Sequence, residues 1–433
     1  MEQKKITIIN ITSEIPSLKY LEFINPEDFI KNRGKAEYIK LENSKLWVGF
    51  FNDFHHITAV DVFKKSDKYN IECWRPYGNI IDKPYTKYFE GILHKVFPSR
   101  DLKIWRTGYW HWSDMMLKEL ELRLNSKEKI LLHIHDGHTN FITNLILKIS
   151  KYNIPIIYQH RGGWYNYFDF IYRRRNPISL ITYLKQKQVL RYISYYLSGS
   201  IFEYRFLKDK LKMENVCYYM DGVDFDYFTP GDKIEARKKL NLPLDKKIIL
   251  NVGRFDTPGG VDLLLRIYKK IKETRNDIEL LLVGGYSYNE CYNEAKNAGA
   301  ILVERIPEES LLDYYRAADV YALPIKEYLF RNFGGIGTAT IQALACGLPV
   351  VSYNILNVPG SDDEIEKIGK IFDTDLELYN NILYILDNEG LYKDCREVAK
   401  KYYEKNTVID SLLLKYKEII NQYYPEKGMQ LSG

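Results

Sequence analysis

Short runs of β-branched and other apolar residues recur along the chain: KITIINI (5–11), LWVGFF (46–51), ILLHIH (130–135), PIIYQH (155–160) and VCYY (216–219). They resume later with KIILNVG (247–253), IELLLVG (278–284), DVYALP (319–324) and LPVVSY (348–353). The stretches between them read as helices. Several runs are continuously apolar instead of alternating, as expected of parallel strands covered on both faces. Strands alternating with helices in this way predict an α/β protein whose sheets are doubly wound, and the run of elements is long enough for two such sheets.

The polar stretch TPGDKIEARKKLNLPLDKK (229–247), with two prolines and a run of charges, separates the strand at 216–219 from that at 247–253. It sets the expected boundary, with an N-terminal domain at 1–232 and a C-terminal domain at 233–433. A last helix near 406–424, ending by Pro425, fits either domain on sequence alone. A chain of 433 residues suits two domains of this kind. No solenoid-length repeat or low-complexity tract interrupts the pattern.

Composition changes the picture little. Apolar residues make up 45% and charged residues 27%, values of an ordinary globular protein and not of a disordered one. The first residues, MEQKKITIINITSE, lack the apolar centre of a signal peptide, and no run reaches a membrane span, so a cytoplasmic protein is expected. The five cysteines, Cys73, Cys217, Cys291, Cys346 and Cys395, are odd in number and widely spaced, which argues against a disulfide framework or a zinc site. A net charge of +5 does not point to nucleic acid. Its distribution is more informative: Lys151, Arg161, Arg173, Arg174, Arg175, Lys185, Lys187 and Arg191 fall between 151 and 200 with Asp169 as the one acid. Basic residues among apolar and tyrosine side chains suit docking on an anionic membrane surface through Arg173, Arg174 and Arg175, and packing into the N-terminal domain is the alternative.

Candidate chemistry gathers at strand ends. FGGIGTATIQALACGLPVVSY (333–353) sets Gly334, Gly335, Ile336 and Gly337 ahead of a helix starting near Thr338. Backbone without Cβ atoms allows close approach of a ligand, and a helix N-terminus offers N–H groups and partial positive charge suited to a diphosphate. Thr338, Ala339 and Thr340 form that first turn. NVGRFDTPGGVDLLLRIYKKI (251–271) carries Gly253 and Arg254 at a strand end and Gly259 and Gly260 before a helix. A guanidinium there can neutralise a diphosphate leaving group. LLVGGYS (281–287) adds a third loop to the same rim. In the N-terminal half, His133, His135, Asp136 and His138 end one strand and His160 and Arg161 the next. Alternation places His133 and His135 on one face. Metal binding by this cluster is conceivable, and packing or hydrogen bonding to an acceptor is preferred.

In these residues the chain resembles the retaining GT-B-fold glycosyltransferases of family 4, over about half its length, from Leu131 to Val351. Gly253, Arg254 and Gly260 match the family's strand–GR–loop–G–helix, Leu281 to Gly285 its LxxVGxG-like strand end, and Gly334 to Val351 its EGFGxxxxEAMACGxPVV segment. Asp221, Gly222, Val223 and Asp224 with Phe228 and Pro230 look like its NGVDxxxFxP, Ser200 precedes a helix as in its SxxE, and His135 stands where the family has an acceptor-side histidine. The resemblance implies two Rossmann-like domains facing a cleft. It implies sugar transfer from a UDP- or GDP-linked donor to a glycan or lipid-linked acceptor, with no metal and with Arg254 and His135 as the catalytic pair. Arg305 and Ile306 are then expected near the base. Asp136, His138, His160 and Arg161 are expected on the acceptor side.

The departures are as specific. The family's pair of glutamates falls on Gly334 and Gln342, its diphosphate-binding lysine on Gly259, and Ile11 to Glu14 replace the glycine-rich loop after the first strand. Gln342 can still meet ribose hydroxyls through its amide, and Arg331, with Lys326, can stand in for the lysine. Two rival readings follow: a degenerate GT-B protein acting as the partner of another transferase, and a sugar-nucleotide epimerase, which needs acid/base carboxylates around the sugar.

Overall fold

The computed structural model describes residues 5–13, 54–76, 83–102, 110–137, 139–160, 177–257, 259–285, 289–304, 306–325 and 334–425. The apolar runs among them form two sheets. The first combines β1 (Ile6–Thr12), β2 (Tyr69–Pro76), β3 (Tyr85–Phe89), β4 (Ile92–Phe97), β7 (Ile130–Asp136), β8 (Ile156–His160), β9 (Tyr195–Ser198) and β10 (Val216–Tyr218) in the order β10-β9-β8-β7-β1-β2-β4-β3. All its pairings are parallel except β3 with β4. β5 (Arg100–Leu102) and β6 (Trp110–Trp112) form a separate antiparallel pair. The second sheet is wholly parallel, from β11 (Lys247–Val252), β12 (Ile278–Gly285), β13 (Ile301–Glu304), β14 (Val320–Leu323), β15 (Val350–Ser352) and β16 (Gly369–Lys370), in the order β13-β12-β11-β14-β15-β16. Counted from β11 this is the doubly wound order of a Rossmann sheet.

Each order reverses once, between β1 and β7 in the first sheet and between β11 and β14 in the second. Loops at the carboxyl ends of the strands part at such a switch point and leave a crevice. Among the described residues, Gly253, Arg254, His135, Asp136 and His160 end a strand or directly follow one, and the topology carries them to the carboxyl edges of the two sheets.

Helices cover both faces. Those used below are α1 (Phe54–Lys65), α2 (Asn140–Ile149), α3 (Pro177–Val189), α4 (Val261–Lys272), α5 (Thr338–Ala345) and α6 (Lys405–Tyr423). α4 buries Leu264, Leu265, Tyr268 and Ile271 against the second sheet and turns its lysines outward. The final helix, α6, lies against the first sheet although the preceding chain belongs to the second. Val408, Leu412, Tyr416, Ile419 and Ile420 join a core with Ile8, Ile71, Leu131 and Ile157. Tyr424 Oη donates to the Ile130 carbonyl at 2.9 Å, and Lys405 pairs with Asp61 at 2.8 Å. None of the described helices is long and apolar enough to cross a membrane.

The structure adds elements that the apolar runs do not announce. The segment LWVGFF at 46–51 lies outside the described residues. β2 and β4 are strands despite Glu72, Arg75, His94 and Lys95 within them, because these groups find partners. Glu72 meets Arg123 at 2.8 Å and Lys95 meets Glu119 at 2.7 Å, both beside the buried Trp74 ring. Within the polar stretch 229–247, Lys233–Lys239 is a short helix capped by Asp232, and its Arg237 donates to Asp319 at 2.6 Å.

Candidate active site

In the second sheet the loops after β11, β12 and β14 converge. Gly260 caps α4 at φ 79°, and a Cβ there would overlap the Pro324 carbonyl oxygen, so the chain leaving β11 passes against that leaving β14 only as glycine. A side chain on Gly285, at the end of β12, would overlap the Phe255 ring, and Gly253 beside it is open. Arg254 follows directly, 69% exposed at its side chain and 3.2 Å from Asp256. Its charge therefore stands at the carboxyl end of β11 in water, free to meet an anion in the crevice.

The glycine loop after β14 ends at α5, which begins at Thr338 with Gly337 as its cap. Ile336 is fully buried and anchors the loop from below. Gly335 takes φ 67° and presses its backbone on the Gly199 carbonyl oxygen of the first sheet's side, where a Cβ would not fit. Asn354 Nδ2 donates to the Gly335 carbonyl at 2.6 Å and fixes the loop from the third side. In front of Gly337 the nearest atom to an added Cβ is Thr340 Oγ1 at 3.9 Å, so that space is open. Thr338 and Ala339 are half-buried in the first turn, whose leading N–H groups have no partner within the helix.

Gln342 departs from expectation. It lies one turn into α5, buried, with both ends of its amide engaged: Tyr315 Oη donates to Oε1 at 2.9 Å, and Nε2 donates to Glu308 Oε1 at 2.5 Å. The amide is therefore not turned outward for a ligand. The carboxylate beside it belongs to Glu308, which begins a short turn after Ile306 and Pro307. Loss of hydration, reinforced by Glu309, holds the Glu308 carboxyl above the usual glutamate range, and the Gln342 amide offsets part of that rise. Glu308 is a candidate the sequence reading missed. Its signal was an acid immediately after the expected base loop, and its pairing with Gln342 spans 34 residues of sequence.

In the first sheet the switch point lies between Ser13 and β7. Asp136 is buried and fully used: Ser13 Oγ donates to it in a very short contact, and it also accepts from the Thr139 N–H at 2.6 Å and from Tyr158 Oη at 3.3 Å. It ties the end of β1 to the start of α2 and is not turned toward an acceptor. His133 and His135 share a face, their rings 4.0 Å apart. His133 Nδ1 meets Tyr416 Oη of α6 at 2.6 Å, and His135 Nε2 meets Asn10 Oδ1 at 3.0 Å, which assigns the proton to that nitrogen. His160, at the end of β8, meets Glu203 at 2.9 Å, both side chains buried. Glu203 accepts in addition from Tyr196 Oη and Ser198 Oγ.

The segments following the two sheets touch around Gly199 and Ser200. Gly199, between His160 and the Gly335 loop, touches both, and Ser200 Oγ donates to Asn357 Oδ1 at 2.8 Å across the lobes. Of the expected site residues, Gly253, Arg254, Gly259, Gly260 and Gly334 to Thr340 stand in the segments that follow β11 and lead into the first turn of α5, Ile336 and Thr340 among them fully buried, with Ile306 half-buried against the same core. His135, Asp136 and His160 end strands of the first. Arg161, His138, Arg305, Arg331, Lys326 and Arg173 to Arg175 lie outside the described residues.

Beyond His135 the first sheet carries further imidazoles. His55, Cys73 and His94 are buried with ligand atoms within 4.8 Å of one another. The Arg75 guanidinium donates to His55 Nδ1 at 3.4 Å and puts a cation beside the group, which opposes a metal ion there. Burial, with His56 and Arg75 adding to it, pushes His94 down to about 2, so it is a neutral ring.

Comparison with known proteins adds the following. Residues 232–402 match the family model for glycosyl transferases group 1. A D-inositol 3-phosphate glycosyltransferase of Thermobifida fusca is 28% identical over 212 residues, covering 45% of this chain and 48% of the relative. The chain thus matches about half the length of such curated relatives. Among solved structures, the sucrose-phosphate synthase of Thermosynechococcus elongatus superposes with TM-score 0.65 at 16% identity over 96% of this chain and 100% of that one. The Anabaena protein HepE, in complex with UDP, does so with TM-score 0.61 at 12% identity over 95% and 100%. These two likenesses establish the GT-B architecture.

Proposed function

We propose, from the premise that residues 232–402 belong to the group 1 glycosyl transferases on a GT-B fold, that the chain moves a sugar from a nucleotide-diphosphate donor to a glycan or lipid-linked acceptor with retention of configuration. The observation that carries the reading is the second switch point, where three glycine-bearing strand ends open beside an exposed arginine and a helix N-terminus. The diphosphate sits before α5, where N–H groups and the helix dipole favour negative charge. Arg254 neutralises the leaving group as the sugar departs, and a single well-placed donor of this kind is worth about 3 kcal/mol of barrier.

Glu308 takes the hydroxyl-accepting role that a carboxylate at position 342 would otherwise have. Its oxygen bonded to Gln342 is fixed in direction, and the other remains to accept from the ribose. On the opposite wall His135, held by Asn10, orients the acceptor hydroxyl, and a donor phosphate oxygen takes its proton.

The rival reading of a degenerate partner is favoured by one finding, that Gln342 has no amide group left for a ligand. A donor panel separates the readings. Incubation with UDP-, GDP- and ADP-sugars and a mixed acceptor pool should yield a new glycoside. Interconversion of donors without one would mean an epimerase, and binding without turnover would mean a degenerate partner; either would overturn the proposal.

A further inference from the structure

A surface helix ordinarily turns its apolar stripe inward and its charges to water. α3 does so only at its C-terminal end, where Val189 and the following Leu190 and Ile193 are buried. Its preceding turns are inverted. Gln186 is 1% exposed and faces the protein, whereas Leu180, Ile181 and Leu184 are 38%, 57% and 54% exposed. At 100° per residue Leu180, Leu184 and Lys187 fall on one outward line of α3, with Ile181 and Lys185 toward its side, and Arg191 follows in the 3-10 turn Leu190–Tyr192. Lys185, Lys187 and Arg191 are all exposed, and no acidic residue occurs from Ile171 to Phe202. The outward surface therefore pairs three aliphatic side chains with three cations that have no acidic partner among the described ion pairs. Positive charge without counter-charge selects an anionic partner, and protruding aliphatic chains select one with an apolar layer beneath its charges.

A bilayer bearing anionic lipid has both properties. We propose that α3 is an interfacial docking helix that places Leu180, Ile181 and Leu184 among lipid headgroups while Lys185, Lys187 and Arg191 meet anionic lipid. β8 and β9 are parallel neighbours, so the helix joining them runs back from the carboxyl ends of the strands. Its aliphatic end is the end beside the first crevice, and the docked surface borders the acceptor side. The proposal stands on α3 alone and does not require the glycosyltransferase reading.

Vesicle flotation tests it, with phosphatidylcholine alone and with one third phosphatidylglycerol, at about 50 mM and about 500 mM salt. The intact protein should float with the anionic vesicles at low salt, be released at high salt and ignore the neutral ones. Lys185→Glu, Lys187→Glu and Arg191→Glu together should cut partition roughly a hundredfold, since each cation at such a surface contributes about fivefold. Leu180→Ser, Ile181→Ser and Leu184→Ser together should weaken it independently. All six positions are exposed, so both variants should keep the melting temperature of the wild type. Absence of flotation by the wild type, or equal flotation of the wild type and either variant, would overturn the proposal. So would a wild-type dimer in light scattering that the serine variant dissolves, because the surface would then bind a second copy.

Discussion

Gln342→Glu restores the residue expected at this position from the family resemblance, and the structure makes it a destabilising change. In the wild type the amide donates to the Glu308 carboxylate at 2.5 Å, a bond to a charged group worth about 1.5–3 kcal/mol. A glutamate at 342 removes the donor and sets two carboxylates in contact, which cannot both ionise at that distance. The Glu308 carboxyl already stands above its ordinary value of 4.5 through lost hydration and the neighbouring Glu309, so a second carboxylate at 342 adds to a charge the fold already disfavours. Stability tied to the carboxyl proton is fully present below the ordinary value and is lost as pH rises through the raised one. In the variant the shared proton replaces the lost amide donor at low pH, and the pair resists losing it at neutral pH.

The expected penalty is therefore about 2 kcal/mol near pH 7.5, or roughly 4–8 °C in the melting temperature of a lobe this size, and small near pH 4.5. Thermal melts at the two pH values check it. Adding Glu308→Gln to the variant exchanges the partners, and most of the loss should return. A variant as stable as the wild type at pH 7.5, a penalty equal at both pH values, or no recovery in the exchanged pair would refute the reasoning.

Arg254→Ala should lower turnover at least tenfold with the melting temperature unchanged, because its side chain is exposed and pairs only with Asp256 among the described ion pairs; full activity would remove it from the mechanism. Gly335→Ala should weaken nucleotide binding and lower the melting temperature together, since its Cβ would press on Gly199 and its φ is strained for alanine; unchanged values of both would mean that the loop yields. His94 is an imidazole of ordinary value 6.5 depressed to about 2, so the unfolded chain takes up a proton below pH 6.5 that the folded chain refuses. Stability should fall by about 1.4 kcal/mol per pH unit on acidification from 6.5 through this residue alone, and His94→Asn should flatten the urea-derived slope by that amount.

The sheets were legible where strands are continuously apolar, because a strand covered on both faces leaves no room for polar positions. β2 and β4 were not, since the partners of Glu72 and Lys95 on the helix 114–125 come from elsewhere in the chain. The glycine loops were legible as loops. What makes Gly260 and Gly335 necessary was not, because the obstructing atoms, the carbonyls of Pro324 and Gly199, arrive from another strand end and another lobe. Arg254 could be placed from its strand alone. The side chain of Gln342 could not, as its orientation depends on Tyr315 and Glu308, neither of which a local motif includes.

The missing charges on the donor side look less like decay once their surroundings are compared. At position 334 a carboxylate is absent, yet the adjoining Gly335 is packed against the Gly199 carbonyl and bonded by Asn354. At 342 the charge is gone from the helix and stands on Glu308, fixed by the very amide that replaced it. At 259 a glycine takes the lysine's place, but its N–H donates to Asp256 at 3.2 Å, and Asp256 in turn meets Arg254 at the same distance, so the loop aligns the remaining cation. Two of the three departures, Gln342 with Glu308 and Gly259 with Asp256, are each coupled to a specific contact, which describes a site built around different side chains. On the proposed donor reading, the glycine backbone at the strand ends is the phosphate-facing part of such a site, and Glu308 and Arg254 are the charged groups beside it.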